Sequence, residues 1–242
     1  MKKKKTIALV GIIVVLMTVA ALVLVPRIRL YNAVKDIDLG PVGEMFTQYD
    51  VIDDNLVRIE EEYCYISIPV DYEYEEKDVI KTYKYSEDEA VSFSNDTNEE
   101  ALVFLQDSFG ESLELFDIEM QMKDLKKGFE DLGYGIPDNE YNTVKNMYLL
   151  NEDDYSFWNY NKGLAYALTA RMKSETMWMS KQYIYEREDM YATVLARLWE
   201  DGKCYYYATV YNPDDLNESF VIIIRTYDEQ KAMAILNSVE LK

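Results

Sequence analysis

Residues 219–236 read SFVIIIRTYDEQKAMAIL and decide what kind of fold the chain can form. Phe220–Ile224 is an unbroken apolar run, rich in β-branched residues, which is typical of a strand in the middle of a sheet. From Asp228 the period changes, because Ala232, Ile235 and Leu236 recur at the spacing of one helix face. We therefore predict a central strand over 219–227 and a helix over 228–236 that packs against it.

Outward from this segment, the sequence predicts further strands on both sides of a helical middle. Alternation is clearest in YCYISIP, residues 63–69, where Cys64, Ile66 and Ile68 share one face. Asp201 and Gly202 predict a tight turn between two strands. The other predicted strands cover residues 79–85, 90–94, 182–185, 191–199 and 203–211. This order predicts an α+β fold with a mainly antiparallel sheet and with inserted and C-terminal helices.

The helical middle is marked by an apolar stripe in ESLELFDIEMQMKDLKKGFEDLG, residues 111–133. Its members recur every three or four residues, and Gly133 stands where a helix usually ends: Leu115, Ile118, Met122, Leu125, Phe129 and Leu132. The stripe could be a coiled-coil seam, but fewer than three heptads favour packing on the domain's own sheet. Two further helices are predicted over 139–150 and 156–174.

The N-terminus carries a targeting signal, KKKKTIALVGIIVVLMTVAALVLV, residues 2–25. Residues 6–25 hold no charge, and a helix of this length spans about 30 Å, the thickness of the bilayer's hydrocarbon core. A cleaved signal peptide is the alternative, with a cut after Val19-Ala20-Ala21, although no polar spacer precedes that site. We predict one uncleaved transmembrane helix. A buried core helix fits its uniform apolarity and lysine flank less well.

The flanking charges predict the orientation of this helix. Four lysines precede it, whereas fewer basic residues follow it closely, so the N-terminus is predicted to lie in the cytoplasm. The predicted organisation is a cytoplasmic lysine run and anchor over 1–30, a tether over 31–56 and an acidic extracytoplasmic α+β domain over 57–242. The chain is thus predicted to be a single-pass protein of the cell membrane with its body outside.

Composition excludes several classes of function. The net charge is −20 and the first 30 residues contain no acid, so the body is strongly negative and nucleic-acid binding is excluded. The chain has no histidine, which removes the histidine-dependent nucleophile pairs and the commonest metal ligand. No cofactor and no metal site are predicted. Acidic runs such as Glu60–Glu62 are interpreted as solvated surface.

The two cysteines and a pair of aromatic residues are the candidate special sites. Cys64 and Cys204 fall on inward strand faces and could form a disulfide outside the cell, or could be two separate buried thiols. Trp158 and Tyr160 lie in FWNYN, residues 157–161, and could stack against a sugar ring. The alternative is that these aromatics are core or ordinary surface.

Two segments of the body resemble PsbP-like domains of bacterial envelope proteins. YCYISIPVDYEYEE, residues 63–76, is similar to the opening motif of these domains, and residues 219–242 are similar to their closing strand and helix. The resemblance covers about residues 63–95 and 203–242 and leaves the helical middle without a counterpart. It implies a binding or assembly factor and supplies no catalytic residue.

Taken together, the sequence predicts a membrane-anchored extracytoplasmic protein with a non-catalytic binding or assembly role. Its expected partner is another protein near the membrane. A glycan-binding module is the first alternative and a hydrolase that uses Asp and Glu is the second, because paired carboxylates can cleave glycosidic bonds without histidine.

Overall fold

The structure is a computed structural model that describes residues 2–46, 55–77, 80–94, 122–176 and 181–242. Within these ranges it has the predicted class, an α+β fold whose strands pair mostly antiparallel. The helices are α1 (Lys2–Val34), α2 (Met122–Leu132), α3 (Glu140–Leu149), α4 (Tyr160–Thr176) and α5 (Glu229–Asn237). A short 3-10 helix covers Glu152–Asp154 between α3 and α4.

The described strands form two sheets. Numbered along the chain, they are β1 (Glu44–Phe46), β2 (Leu56–Glu60), β3 (Cys64–Pro69), β4 (Glu73–Lys77), β5 (Ile80–Ser86), β6 (Glu89–Ser94), β7 (Lys181–Glu186), β8 (Tyr191–Leu198), β9 (Cys204–Asn212), β10 (Asp215–Thr226) and β11 (Glu240–Leu241). The main sheet has eight strands in the order β1-β7-β8-β9-β10-β6-β5-β4, and the smaller one has the order β11-β3-β2. β1 runs parallel to β7, and the other described pairs are antiparallel.

The predicted central strand is confirmed. β10 lies between β9 and β6 in the main sheet, which explains why its sequence is apolar on both faces. Ile222 and Ile224 are fully buried on one face, and Ile223 is half-buried on the other. α5 follows after Asp228, whose carboxylate caps the helix by accepting N–H groups from its first turn.

One face of the main sheet is covered by α5 and by the small sheet, and this layer forms the first core. β3 contributes Cys64, Ile66 and Ile68, all buried as their alternation predicted. α5 contributes apolar side chains that include Ala232 and Ile235. The Ser238 hydroxyl, just after α5, accepts the Ser67 backbone N–H at 2.7 Å and so ties the two elements together.

The opposite face of the main sheet is covered over part of its width by α3. Tyr141, Met147 and Tyr148 of α3 pack against Ile184 of β7 and Tyr211 of β9 to form the second core. α3 is capped by Asn139, whose side chain accepts the Asn142 N–H. The predicted helix over 139–150 therefore lies where the sequence placed it.

A third cluster is formed mainly by helices, and it corrects one prediction. Leu125, Phe129 and Leu132 of α2 are buried against α4 and against the end of α1, not against the sheet. The expected packing of this stripe on the sheet is therefore wrong for the described residues, because α4 supplies the apolar partner instead. Leu115 and Ile118 of the predicted stripe lie outside the described residues.

The body begins earlier than the sequence predicted. α1 runs without a break to Val34, and Leu30, Val34 and Leu39 are buried in the helical cluster. The Gly43 N–H donates to the Tyr148 carbonyl at 2.7 Å, and β1 then joins the main sheet. Much of the segment predicted as a tether is thus part of the fold, because its scattered apolar residues meet partners that lie more than a hundred residues away in the sequence.

Candidate functional site

An open groove lies where the β2–β3 turn meets the β9–β10 hairpin. We call it the Tyr63 groove; it is lined by Glu62, Tyr63, Asn212, Glu218, Ser219, Phe220, Leu241 and Lys242. Three separate parts of the chain supply these residues, and the space between them is open to solvent. Grooves assembled in this way, with an apolar floor and a few polar groups, are the usual form of ligand sites.

The turn that presents Tyr63 is fixed by a buried carboxylate. Glu61 is only 7% exposed; one of its oxygens accepts the Tyr83 hydroxyl at 2.7 Å and the other accepts the Lys81 ammonium at 3.2 Å. The Glu61 N–H also donates to the Cys64 carbonyl across the turn. A charge held this way in a partly buried site is satisfied and rigid, so Glu61 positions its neighbours.

The floor of the groove is an aromatic stack. The Tyr63 ring lies 5.8 Å from the Phe220 ring, centroid to centroid, with the planes 20° apart. Phe220 is buried, whereas Tyr63 stays 46% exposed, so Tyr63 offers its outer side to a ligand. Burial, and then the nearby Glu62 carboxylate, raises the pKa of Tyr63, which keeps its hydroxyl protonated.

The rim of the groove is more acidic than basic. Glu218 lies in a bulge of β10, where the pairing with β9 shifts between Asp215 and Ser219. Lys242 is the basic residue of the rim, and its ammonium is already paired with Glu60 at 2.9 Å. The carboxylates of Glu62 and Glu218 therefore dominate the local charge, and the groove suits a cationic ligand.

The chemistry that this site could perform is limited. Among the described residues, no group of three or more Cys, Asp or Glu side chains is arranged to hold a metal ion. Glu61, the buried carboxylate beside the groove, already accepts hydrogen bonds on both oxygens, which favours a structural role over acid catalysis. Glu140, the first residue of α3, is also buried, and burial raises its pKa, but it does not line the groove.

The predicted sugar-stacking pair does not line this groove. Trp158 is 76% exposed in the loop before α4, where its ring meets Phe157 edge-on at 5.2 Å. Tyr160 is half-buried, and the Arg27 guanidinium lies 5.4 Å from its ring centroid. One face of Tyr160 is thus covered by α1, so the two rings do not form one open platform.

The two cysteines are free thiols in the structure. Cys64 of β3 and Cys204 of β9 both lie in the first core, in different sheets. Burial raises the pKa of Cys64 to about 12 and also raises the pKa of Cys204, so neither forms a thiolate readily. The disulfide is not formed here, and the other alternative, two thiols that act as small apolar side chains, describes what is observed.

The sequence does not predict that one charged residue is buried inside the helical layer. Lys173 of α4 is fully buried, and its ammonium donates to the carbonyls of Tyr148 and Leu150 at 3.1 and 3.0 Å. These carbonyls end α3, where the helix dipole favours a cation. Burial lowers the pKa of Lys173 to about 8, and the Asp154 carboxylate opposes this shift.

Comparison with known proteins identified no relative of this chain. No protein-family model, no curated protein and no solved structure matches the chain. The resemblance to PsbP-like domains therefore stays a prediction.

Proposed function

We propose that this chain is a single-pass membrane protein whose acidic body lies outside the cytoplasm and binds a partner without catalysis. The observation that carries the proposal is α1, an apolar N-terminal helix that is exposed where a bilayer would cover it and buried where it meets the body.

The dimensions of α1 fit an anchor. Its 33 residues extend over about 50 Å, more than the roughly 30 Å of a hydrocarbon core. Large apolar side chains on this helix are more than half exposed, a costly arrangement in water: Val15, Leu16, Met17, Val19 and Leu22. Beyond Val25 the same helix turns polar on one side with Arg27 and Arg29, and its remaining apolar residues pack on the body.

The mass of the mature protein separates an anchor from a cleaved signal. An anchor leaves the chain intact in the membrane fraction, whereas a signal releases a body that begins near Leu22. Ala21→Phe blocks a cut at the one small-residue site, so it should change nothing for an anchor and should retain a cleaved protein in the membrane. Leu16→Arg is the matched variant that should prevent membrane insertion, since an arginine at the centre of the helix raises the insertion free energy by about 3 kcal/mol.

The proposed orientation follows from the four lysines at the start of α1 and is tested by protease shaving of intact cells. An external body is digested in intact cells. A body in the cytoplasm survives until the cells are lysed, and that outcome would overturn both the orientation and the extracytoplasmic role. Lys2 to Lys5 changed together to Glu provides the control, because it removes the charge bias that we hold responsible.

The Tyr63 groove is where we expect the partner to bind. A half-exposed aromatic face between Glu62 and Glu218 suits an arginine or lysine side chain of another protein, held by cation–π contact and by the carboxylates. This chemistry agrees with the acidic charge of the whole body, which attracts basic partners over longer distances. The implied binding or assembly role of PsbP-like domains points the same way.

Titration of a short Arg/Lys-containing peptide into the full-length protein in nanodiscs tests this site. Tyr63→Ala should weaken binding by about 1 kcal/mol, or roughly fivefold, and added salt should weaken the wild-type complex. Tyr85→Ala is the matched control, because Tyr85 is an exposed tyrosine that does not line the groove. Equal effects of the two variants would contradict a binding role for the groove.

A glycan is the second candidate ligand, and the same groove is its better site. Tyr63 offers an open ring face in a groove that is also lined by the polar residues Asn212 and Ser219, whereas one face of Tyr160 is covered by Arg27. Soluble cell-wall oligosaccharides in place of the peptide distinguish the two ligands. Sugar binding should also depend on Tyr63 but should change little with salt, because it involves no ion pair.

A further inference from the structure

The loop before α4 presents an exposed tryptophan beside a half-buried phenylalanine. We call residues 156–159 the aromatic tip; it includes Phe157 and Trp158. The Trp158 side chain is among the most exposed large apolar groups of the described chain. The residue is 76% exposed, and its ring meets the Phe157 ring edge-on.

The tip is held in place by hydrogen bonds on both sides of Trp158. The Ser156 hydroxyl accepts the Asn159 N–H at 3.1 Å, and the Asn159 side chain accepts the Lys162 N–H at 3.2 Å. The Asn159 amide also donates to Asp131 at 2.7 Å. Trp158 therefore lies in an ordered turn that exposes its ring to solvent. The side-chain acceptors of this turn bind backbone N–H groups as those at a helix N-cap do.

The contacts between α1 and α4 give the level of the tip along the anchor. Arg27 lies over Tyr160, and Leu30 lies next to Gly163, where an added methyl group would be 3.5 Å from Leu30 Cδ2. A step of three residues on one helix matches three on the other, so the two helices run in the same direction here. The first turn of α4 thus stands level with Arg27.

This level coincides with the end of the apolar segment of α1. Arg27 comes two residues after Val25, which is about 3 Å along a helix. Trp158 lies in the loop that leads into this turn, between Tyr155, whose ring is 5.9 Å from the Tyr31 ring, and Tyr160 beside Arg27. The headgroup layer on each side of a bilayer is about 5–7 Å deep, and tryptophan is the residue most typical of it.

We propose that the aromatic tip is a second membrane contact, in which Trp158 and Phe157 lie in the headgroup layer of the bilayer that α1 crosses. The proposal rests on the anchor proposed above and adds that the body is seated on the lipid surface, not held away from it. Apolar burial at the interface carries this contact, since the nearby Asp131 and the acidic body would repel anionic lipid.

Fluorescence of Trp158 in the full-length protein tests the contact. The variant Trp178→Phe/Trp199→Phe leaves Trp158 as the single tryptophan, and the protein is reconstituted into phosphatidylcholine vesicles. Nitroxide groups near the lipid headgroup should quench most of its emission, while nitroxides at the end of the acyl chain and aqueous iodide should quench little. Phe157→Asp in this background should restore quenching by iodide and shift the emission to longer wavelength.

Trp199 provides the internal control. It follows β8, whose Ala196 pairs with Lys181, a residue that comes after the C-terminal end of α4 in the sequence, and α4 itself is about 25 Å long. A variant with Trp199 as the single tryptophan should therefore be insensitive to lipid nitroxides. Equal quenching of Trp158 and Trp199 by lipid, or strong iodide quenching of Trp158, would overturn the contact.

Vesicle flotation separates this inference from the anchor. If the protein floats with vesicles but Trp158 faces water, the anchor stands and the second contact is refuted. If the protein does not float, the anchor itself is refuted and the second contact falls with it. Circular dichroism of each variant shows that the body is folded, and Trp158 is exposed enough that its substitution removes little packing.

Discussion

The Tyr63 groove and the aromatic tip both expose an aromatic ring, yet their surroundings suit different ligands. Tyr63 lies on Phe220 and is bordered by carboxylates, so its open face favours a cation. Trp158 meets Phe157 edge-on and lies in the loop before Tyr160, which is beside Arg27 near the end of an apolar helix, and this setting favours lipid. The ligand that an exposed aromatic ring suits therefore depends on the charges around the ring and on the element that carries it.

The two sites also belong to different layers. The groove is built on the sheets and the first core, whereas the tip depends on the helical cluster of α1, α2 and α4. If this separation is real, a substitution in one layer should change one site and leave the other intact. The three predictions below test that separation, from the largest expected effect to the smallest.

Gly128→Ala should cause the largest loss of stability. Of the two sites, only the aromatic tip should be altered. A methyl group on Gly128 would approach the Asn161 carbonyl oxygen to 2.3 Å, so α2 and α4 would have to move apart. We expect a loss of about 3 kcal/mol in the free energy of unfolding, measured by urea titration in micelles, with altered Trp158 emission. Lys127→Ala, on the exposed side of α2, is the control.

Peptide binding at the Tyr63 groove should survive Gly128→Ala under conditions where the protein is folded. Loss of groove binding together with the change at Trp158 would show that the two layers unfold as one unit, and the comparison would then fail.

The buried Lys173 predicts how stability depends on pH. Its pKa is lowered to about 8 in the folded protein, so between pH 8 and the ordinary lysine value near 10.5 the unfolded chain binds more protons than the folded one. The penalty for burying the charge is complete below pH 8 and is relieved as pH rises. Stability from this group should therefore increase with pH, by up to about 3 kcal/mol in total.

Lys173→Met removes this titration and is the reference for it. The difference in unfolding free energy between the wild type and Lys173→Met, followed from pH 7 to 9.5, should change in favour of the wild type. A constant difference would mean that Lys173 stays charged through its two carbonyl contacts. Because Lys173 joins α4 to the end of α3, Trp158 emission should follow this change more closely than groove binding does.

The sequence predicted the elements that carry a strong period of their own. β3, β10 and α5 were located from Cys64, Ile66 and Ile68, from the apolar run at 220–224, and from the spacing of Ala232 and Ile235. Each of these patterns reflects burial of a single element against whatever covers it, so it is readable without knowledge of the partner.

What the sequence could not reveal was the identity of those partners. Leu30 and Val34 follow the anchor as ordinary apolar residues, and only the fold shows that they pack on α2 and α4. Glu61 stands in an acidic run that was interpreted as solvated surface, yet it is buried because Lys81 and Tyr83, some twenty residues away, converge on it. The groove could not be predicted for the same reason, since its lining comes from three distant segments.

Glu61→Gln is the smallest of the three changes and the sharpest test of the groove. The amide keeps an acceptor for the Tyr83 hydroxyl at 2.7 Å but turns an N–H toward the Lys81 ammonium, so one charge-assisted hydrogen bond is lost. We expect a cost of about 1–2 kcal/mol in unfolding free energy and weaker peptide binding, because the turn that presents Tyr63 loosens. Glu62→Gln, one residue along on the exposed rim, should weaken binding through charge with little effect on stability. Trp158 emission should be unchanged in both variants, and a shift in either one would mean that the groove and the membrane contact are mechanically coupled.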